Sequence, residues 1–596
     1  MFKNIKQHKF DWVQFKWVRI GYKALIRQAI IPAIIIGAIS GLAAVLLKNG
    51  VYNLTAWVHS LTQTGHLSLL YFFLPIIGIV LTVIFTNKII KEKLDHGVTR
   101  VLKAVSKNKG DIRPHNIYSN IVACVITASF GGSIGMEGPI VTTGAAIGSN
   151  TAKFFDYPHK YKLLFICAGM SSAIAAIFKA PIAGLIFSIE VLAIDLSAGF
   201  LIPVLLSCVT GTIVATFFLG QKAEFYFAVF TNYNYSNTLF FILLGIFVGL
   251  LSVYFLRTYS FIEKSLVKIK KKTLRILIGG GLLGLLIYLF PPLYGEGYNN
   301  MEIILSGNIE QLFSNSIIYP YFNSEIGFLI LLIILFFMKV IATALTTGAG
   351  GVGGVFAPAL FTGAVGGTAF AILMNILFNT SLNVSNFTLV GMAGVMAGVI
   401  QTPLAAIFLI AELTGGYNLF IPLIITATIS YATTRLVEPY SIYTKSLAES
   451  GELLTHDKEK NVFTLLDKND LIETEFVTLN INQKLSDLIE AIKICNRNVF
   501  PVLNDDNNLV GLIYFKDIKN IIFDKQDYDK ISISELMKEP EIVIDINESL
   551  DSIVEKVRMQ NIWNIPVLDH GKYVGFISKS SLLSAYQEVF DTFTFE

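Results

Sequence analysis

Apolar and polar positions divide the chain into two regions of different character. Long apolar runs fall near residues 30–47, 69–85, 117–130, 163–192, 200–219, 239–256, 276–290, 326–346, 366–377 and 389–432. A helix needs about twenty apolar residues to cross the hydrocarbon core. Several of these runs are cut by Gly and Pro, so they do not predict one clean span each. Broken helices at membrane depth are tolerated where they line a cavity. The last roughly 140 residues instead read as soluble sequence, each half predicting strand, helix, strand, strand, helix.

Charge follows the same division. No Lys or Arg occurs over 276–338, and basic residues gather beside apolar runs. By the positive-inside tendency, residues 1–28, "NKIIKEKLDHGVTRVLKAVSKNKGDIR" and "EKSLVKIKKKTLR" are expected to be cytoplasmic. The loops 220–237, with one Lys, and 291–325, with acidic residues but no Lys or Arg, are expected outside. Residues 1–28 carry seven Lys/Arg and an aromatic stripe without a cleavage site, which predicts a cytoplasmic amphipathic helix at the interface, not a signal peptide.

With 596 residues, 53% hydrophobic and 15% charged, and a mean hydropathy of +0.61, the chain reads as a polytopic α-helical membrane protein. A net charge of +3 gives no reason to expect a nucleic-acid partner. Cys124, Cys167, Cys208 and Cys495 lack paired or metal-ligand spacing and are expected to be free thiols.

The chain also repeats itself. Gly131, Gly132, Gly135, Pro139, Thr143, Gly144, Ala145 and Gly148 recur 219 positions later as Gly350, Gly351, Gly354, Pro358, Thr362, Gly363, Ala364 and Gly367. "GMSSAIAAIFKAPIAGLIFSIE" from Gly169 recurs as "GMAGVMAGVIQTPLAAIFLIAE" from Gly391, at an offset of 222. The first motif is reached from a strongly basic loop and the second from a loop without basic residues, so the copies enter the membrane from opposite sides. Inverted repeats place a substrate site near the midplane, with helix N-termini pointing at it. Such termini present unpaired N–H groups and partial positive charge, which suits an anion. The plain alternative for the glycines is tight helix crossing.

Glu137, in "GGSIGMEGPIVTTG", is a lone carboxylate among apolar residues and must face a polar cavity or a cation. At a helix N-terminus it would act as a tethered anion; a capping or salt-bridged Glu is the alternative reading. The apolar region holds no nucleophile and base pair, metal cluster or paired carboxylates, so an enzyme is not expected, nor a metal. A cation transporter using Glu137 as ligand is disfavoured by a site of helix N-termini.

These motifs resemble the CLC chloride channels and chloride/proton exchangers. "GSIGMEGP" looks like their G-[KR]-E-G-P motif with Met136 at the basic position, "GGVFAP" like G-x-F-x-P, and "EPYSIYTKSL" like the segment with their pore tyrosine. The tail is similar to the paired CBS domains of many members. The resemblance implies an inverted-repeat CLC fold with broken helices over 29–445, with halves at about 29–219 and 238–440. A linker over 446–470 and a cytoplasmic α/β CBS pair at 471–528 and 534–592 would follow. It implies that Glu137 is the gate. Backbone N–H groups of Val355, Phe356 and Ala357 would hold a central anion, and those of Gly135, Met136 and Gly138 an outer one. The pore tyrosine would be Tyr443, or else Tyr440.

Several features bear on the resemblance. The family's pore serine falls at His96, whose imidazole could donate to an anion or be merely a satisfied polar group. The exchangers' proton-loading glutamate, one residue after the Glu of "FSIE", is Val191 here, as in the channels, which favours passive conductance although some relatives exchange protons without it. Glu190 and its repeat Glu412 look structural. Lys179 would either snorkel to the interface or concentrate anions in the inner vestibule. In the tail, Tyr514 with Asp517 and Ser578 with Ser581 only partly match an adenine-nucleotide site, so the CBS pair is expected to support a dimer or gating rather than bind a cofactor. The expectation is therefore a gated chloride channel, homodimeric, multi-pass in the plasma membrane, with cytoplasmic termini. A chloride/proton antiporter and an exporter of another anion such as fluoride are the alternatives.

Overall fold

The computed structural model describes residues 22–62, 70–92, 97–194, 198–220, 233–314, 316, 318–319, 322, 324–450, 468–495, 497–523, 526, 528–559 and 563–593. The amphipathic helix expected over 1–28 lies almost wholly outside these, as do His96 and most of the 446–470 segment. The chain forms two compact units, divided after Leu454.

The larger unit is helical: α1 (Tyr22–Thr62), α2 (Leu70–Ile84), α3 (Gly97–Lys107), α4 (Asn116–Ser129), α5 (Glu137–Phe154), α6 (His159–Phe178), α7 (Pro181–Leu192) and α8 (Ala198–Leu219) make the first half. The second comprises α9 (Thr238–Val267), α10 (Lys272–Leu289), α11 (Tyr298–Leu305), α12 (Ile309–Phe313), α13 (Glu325–Ala349), α14 (Phe356–Phe378), α15 (Val384–Ile400), α16 (Pro403–Leu413) and α17 (Phe420–Val437), with the short α18 (Lys445–Glu449) following. Among the described residues nine helical stretches are long and apolar enough to cross a membrane.

The apolar runs break where proline dictates. Run 163–192 becomes α6 and α7, and run 389–432 becomes α15, α16 and α17. Pro181 and Pro403 each open a helix, where the missing N–H costs nothing. Lys179 and Gln401, two residues before each proline, both turn left-handed, with φ of 54° and 60°.

The two halves interlock through reciprocal contacts, which makes the inverted repeat physical. Gly135 N–H donates to the Gly354 carbonyl at 2.8 Å, and Gly354 N–H to the Gly135 carbonyl at 2.7 Å. Ser133 N–H donates to Thr346 Oγ1 while Val352 N–H donates to Thr127 Oγ1, both at 3.1 Å. The Glu412 carboxylate accepts from Ile182 and Ala183 at the start of α7, and the Glu190 carboxylate from Leu404 and Ala405 at the start of α16. Each half therefore caps a helix of the other, which identifies the structural role expected of these two glutamates.

One end of the unit is basic and ion-paired. Arg113 and His115 meet Glu92 at 3.1 and 2.8 Å, Lys153 meets Asp111 at 3.2 Å, and Arg257 and Lys445 meet Glu438 at 2.7 and 2.9 Å. Just past α2, the Asn87 side chain accepts from Lys272 at the start of α10. Lys179 lies at the opposite end. Its ammonium donates to the Gly220 carbonyl just past α8 at 2.7 Å.

The second unit carries two sheets, in order β1-β7-β6-β5 and β2-β3-β4. The strands are β1 (Ile472–Glu473), β2 (Leu479–Asn480), β3 (Val499–Leu503), β4 (Leu509–Tyr514), β5 (Ile544–Asp545), β6 (Asn564–Asp569) and β7 (Lys572–Ser578). Each sequence copy gives a parallel pair and a hairpin, with the same register shift at Val502/Leu503 and Val567/Leu568. Strand β1, at the start of the first copy, pairs antiparallel with β7 of the second and ties the copies together. All four cysteines are free thiols.

Candidate anion site

Three helix N-termini converge around the Gly135–Gly354 bridge. Helix α5 begins at Glu137 with Met136 as its cap, α14 begins at Phe356 after Val355, and α3 begins at Gly97. Glycine permits the approach. A Cβ on Gly138 would stand 3.0 Å from Gly354 Cα, and one on Gly97 would collide with the Gly138 carbonyl group. The orphan N–H groups of α5 and α14 thus face one small region, with the dipole ends of both helices adding positive potential.

Glu137 is 1% exposed and sits in that region. A Cβ on Gly135 would strike Glu137 Oε2 and stand 3.0 Å from Ala357 N, so the carboxylate folds over Gly135 beside the first turn of α14. Its other oxygen, Oε1, accepts a short hydrogen bond from the Tyr298 hydroxyl. Phe356 is fully buried against Phe178 and Phe187, with ring centroids 5.3 and 5.9 Å away. Gly135, Met136, Gly138, Val355, Phe356 and Ala357 are thus brought together, all buried.

The two tyrosines differ. Tyr443 is 4% exposed and its carbonyl accepts from Thr99 Oγ1 on α3 at 3.0 Å, so it stands at the third N-terminus. Its buried hydroxyl has no hydrogen-bond partner among the described residues, and it lies within electrostatic range of Glu137. Tyr440 is 43% exposed. Val191 lies apart, on the last turn of α7.

A cavity of ≈ 980 Å³ reaches this cluster from the end opposite the basic one. Met136 and Tyr298 lie at its inner limit, and Lys48, His59, Glu296 and Asn300 line it. At the basic end a polar cavity of ≈ 250 Å³, lined by Thr86, Glu263, Lys272, Arg275 and Gly350–Gly353, approaches the loop before α14.

Two residues at the site escaped sequence reasoning. Tyr298 follows "YGEG" in the acidic loop, where no repeat or periodicity singles it out. Lys339 is fully buried in the middle of α13. A lysine inside a transmembrane run is itself a functional signal, and that signal was present in the sequence directly after the basic-free stretch 276–338.

In the tail, the candidate nucleotide-binding positions are engaged mostly by other protein groups. Ser578 Oγ donates to Glu473 at 2.5 Å, Arg497 pairs with Glu473 at 2.7 Å, and Lys538 pairs with Asp517 at 2.8 Å. Tyr514 is half-buried at the end of β4, and Ser581 Oγ donates to the Ser578 carbonyl at 3.0 Å.

Comparison with known proteins places this architecture. The voltage gated chloride channel family model matches residues 78–435, and the CBS domain model matches 469–524 and 533–588. The chloride channel protein CLC-e of Arabidopsis thaliana is 24% identical over 82% of this chain and 76% of its own. The H(+)/Cl(-) exchange transporter ClcA of Vibrio parahaemolyticus is 29% identical over 53% of this chain and 65% of its own. Among solved structures, a slow cyanobacterial Cl-/H+ antiporter covers 71% of this chain and 98% of its own at TM-score 0.62 and 23% identity. A eukaryotic CLC transporter covers 94% and 98% at TM-score 0.59 and 19% identity. The family match spans more than half of the chain, so the protein belongs to the voltage gated chloride channel (CLC) family.

Proposed function

We propose that the protein conducts chloride passively through a pore gated by the Glu137 carboxylate. The observation that carries this reading is the position of that carboxylate, buried over Gly135 beside the N-terminal turn of α14, where an anion would also bind. A carboxylate and a chloride compete for the same N–H groups, so the pore is shut while Glu137 occupies them and opens when it is protonated or displaced. Amides of Val355, Phe356 and Ala357 with the Tyr443 hydroxyl would form the central site, and those of Gly135, Met136 and Gly138 the outer one. The burial of Tyr443 and exposure of Tyr440 support this choice of tyrosine. Val191, which cannot carry a proton, supports conduction without proton coupling.

A second reading, proton-coupled exchange, is favoured by Glu263. It lines the cavity at the basic end beside Thr347, whose hydroxyl hydrogen-bonds Tyr259 at 3.0 Å. A carboxylate that Val191 does not supply is thus available elsewhere. One assay separates the readings: chloride efflux from proteoliposomes with simultaneous proton recording. Glu137→Gln is expected to leave chloride flux open and insensitive to pH, and a chloride gradient is expected to move no protons uphill. Flux in Glu137→Gln that keeps wild-type gating would overturn the gate. Uphill proton movement that Glu263→Gln abolishes would replace the channel with an exchanger. The same assay with fluoride tests an exporter of that anion.

The basic end is assigned to the cytoplasm of a cell whose plasma membrane the helices span. A second copy of the chain is the expected partner. Ile182 and Leu404, pseudo-symmetric residues beside the crossed glutamate caps, are 36% and 52% exposed, and form a face on which a copy could seat. Cysteine crosslinking of Leu404→Cys in vesicles tests it. The CBS pair is assigned to supporting that assembly, because the Ser578–Glu473–Arg497 and Asp517–Lys538 contacts already occupy the groups a nucleotide would need.

A further inference from the structure

Tyr298 is the residue through which the outward cavity meets the gate. Its hydroxyl donates to Glu137 Oε1, and the same side chain lines the cavity, so it stands between that cavity and the carboxylate. Nothing in the pseudo-symmetry demands this tyrosine. It stands at the first residue of α11, carried there by a turn that has two left-handed glycines, Gly295 (φ 62°) and Gly297 (φ 95°).

That turn is anchored independently of the gate. Lys339 Nζ, fully buried on α13, donates to the Gly295 carbonyl at 2.9 Å and stands 4.9 Å from the centre of the Phe361 ring. Phe361 belongs to α14, and its ring fills the place where a Cβ on Gly297 would lie, at 2.6 Å. Asn300 closes the loop by donating to the Pro292 carbonyl at 3.0 Å. The tyrosine is therefore held by α13 and by the helix whose N-terminus faces the anion.

We propose that Tyr298 is a latch: its hydroxyl holds the Glu137 carboxylate over the anion site, and Lys339 positions the turn that aims it. Tyr298 is a positioning residue, acting on chloride only through Glu137. A hydrogen bond to an ionised carboxylate is stronger than one between neutral groups, so its loss releases the tethered competitor. The inference rests on the gate reading of Glu137.

The test is chloride flux against chloride concentration in proteoliposomes of the full chain at fixed pH, for wild type, Tyr298→Phe, Glu137→Ala and the double variant. Tyr298→Phe keeps the ring contact with Phe178 and loses the donor. Flux at low chloride is expected to rise about tenfold, because one charge-assisted hydrogen bond shifts the closed-to-open ratio by about that factor. The chloride concentration for half-maximal flux should fall while the maximal flux is unchanged, a split that a loosened fold would not produce. In the Glu137→Ala background, Tyr298→Phe should add nothing. Lys339→Met should reproduce the Tyr298→Phe curve, and if that variant does not assemble, the Tyr298 and Glu137 cycle decides alone. An equal effect of Tyr298→Phe with and without Glu137, or no effect in either, overturns the latch. If Glu137→Ala itself leaves flux unchanged, the gate has failed.

Discussion

Carboxylates sit in two different settings here. Glu190 and Glu412 each accept two backbone N–H groups at the start of a helix in the other half, which is a structural task. Glu137 begins its own helix and leans towards the start of another, where an anion would compete with it. Glu190→Gln or Glu412→Gln keeps one acceptor oxygen and loses the charge, so each is expected to cost about 1–2 kcal/mol. Thermal unfolding in detergent should show similar drops for the two variants; a change in neither would remove the caps from the account of stability. The glutamates were legible because each ends a repeated segment. Tyr298 was not, because its partner lies 161 residues away along the chain and it belongs to no repeat; Lys339 was visible as a charge in an apolar run, but its partner 44 residues away was not.

At the level of helices, glycine seams fix the geometry around the site. A Cβ on Gly144 would run into the Gly169 carbonyl and one on Gly148 into that of Phe165; in the other half Gly363 and Gly367 meet Gly391 and Phe387 in the same way. The pairs α5 with α6 and α14 with α15 therefore pack backbone to backbone. Overpacking of such contacts costs about 1–3 kcal/mol. Gly144→Ala and Gly363→Ala are each expected to lower the apparent Tm in detergent by several degrees, and full retention of Tm in both would show that the seams can spread. The recurrence of these glycines made the duplication readable from the sequence. Where the long apolar runs break was readable only in outline, because Pro181 and Pro403 mark helix starts while the left-handed residues Lys179 and Gln401 depend on packing that a sequence does not display.

For the whole molecule, the basic end couples stability to pH. Burial pushes the Glu92 carboxyl up, but Arg100, the His115 hydrogen bond and Arg113 outweigh it and hold it below the usual 4.5. A carboxylate lowered in the folded state contributes stability above its unfolded value, and that contribution is lost as pH falls through the folded one. These partners are partly exposed, so the contribution is about 1 kcal/mol or less. Glu92→Gln should therefore lower the apparent Tm at pH 7, with the difference from wild type closing below about pH 4. A difference that does not narrow as pH falls would place the effect in packing instead of charge.

The crossed seam between the halves also bears on how the protein is made. Four backbone donors at the starts of α7 and α16, and the paired amides of Gly135 and Gly354, find their partners only in the opposite half. A first half inserted into lipid during translation holds polar groups that hydrocarbon cannot satisfy, so it must wait, shielded, until the second half emerges. Biogenesis, not only transport, is then a two-part event, and residues 1–220 expressed alone should be degraded unless the remainder is supplied in the same cell.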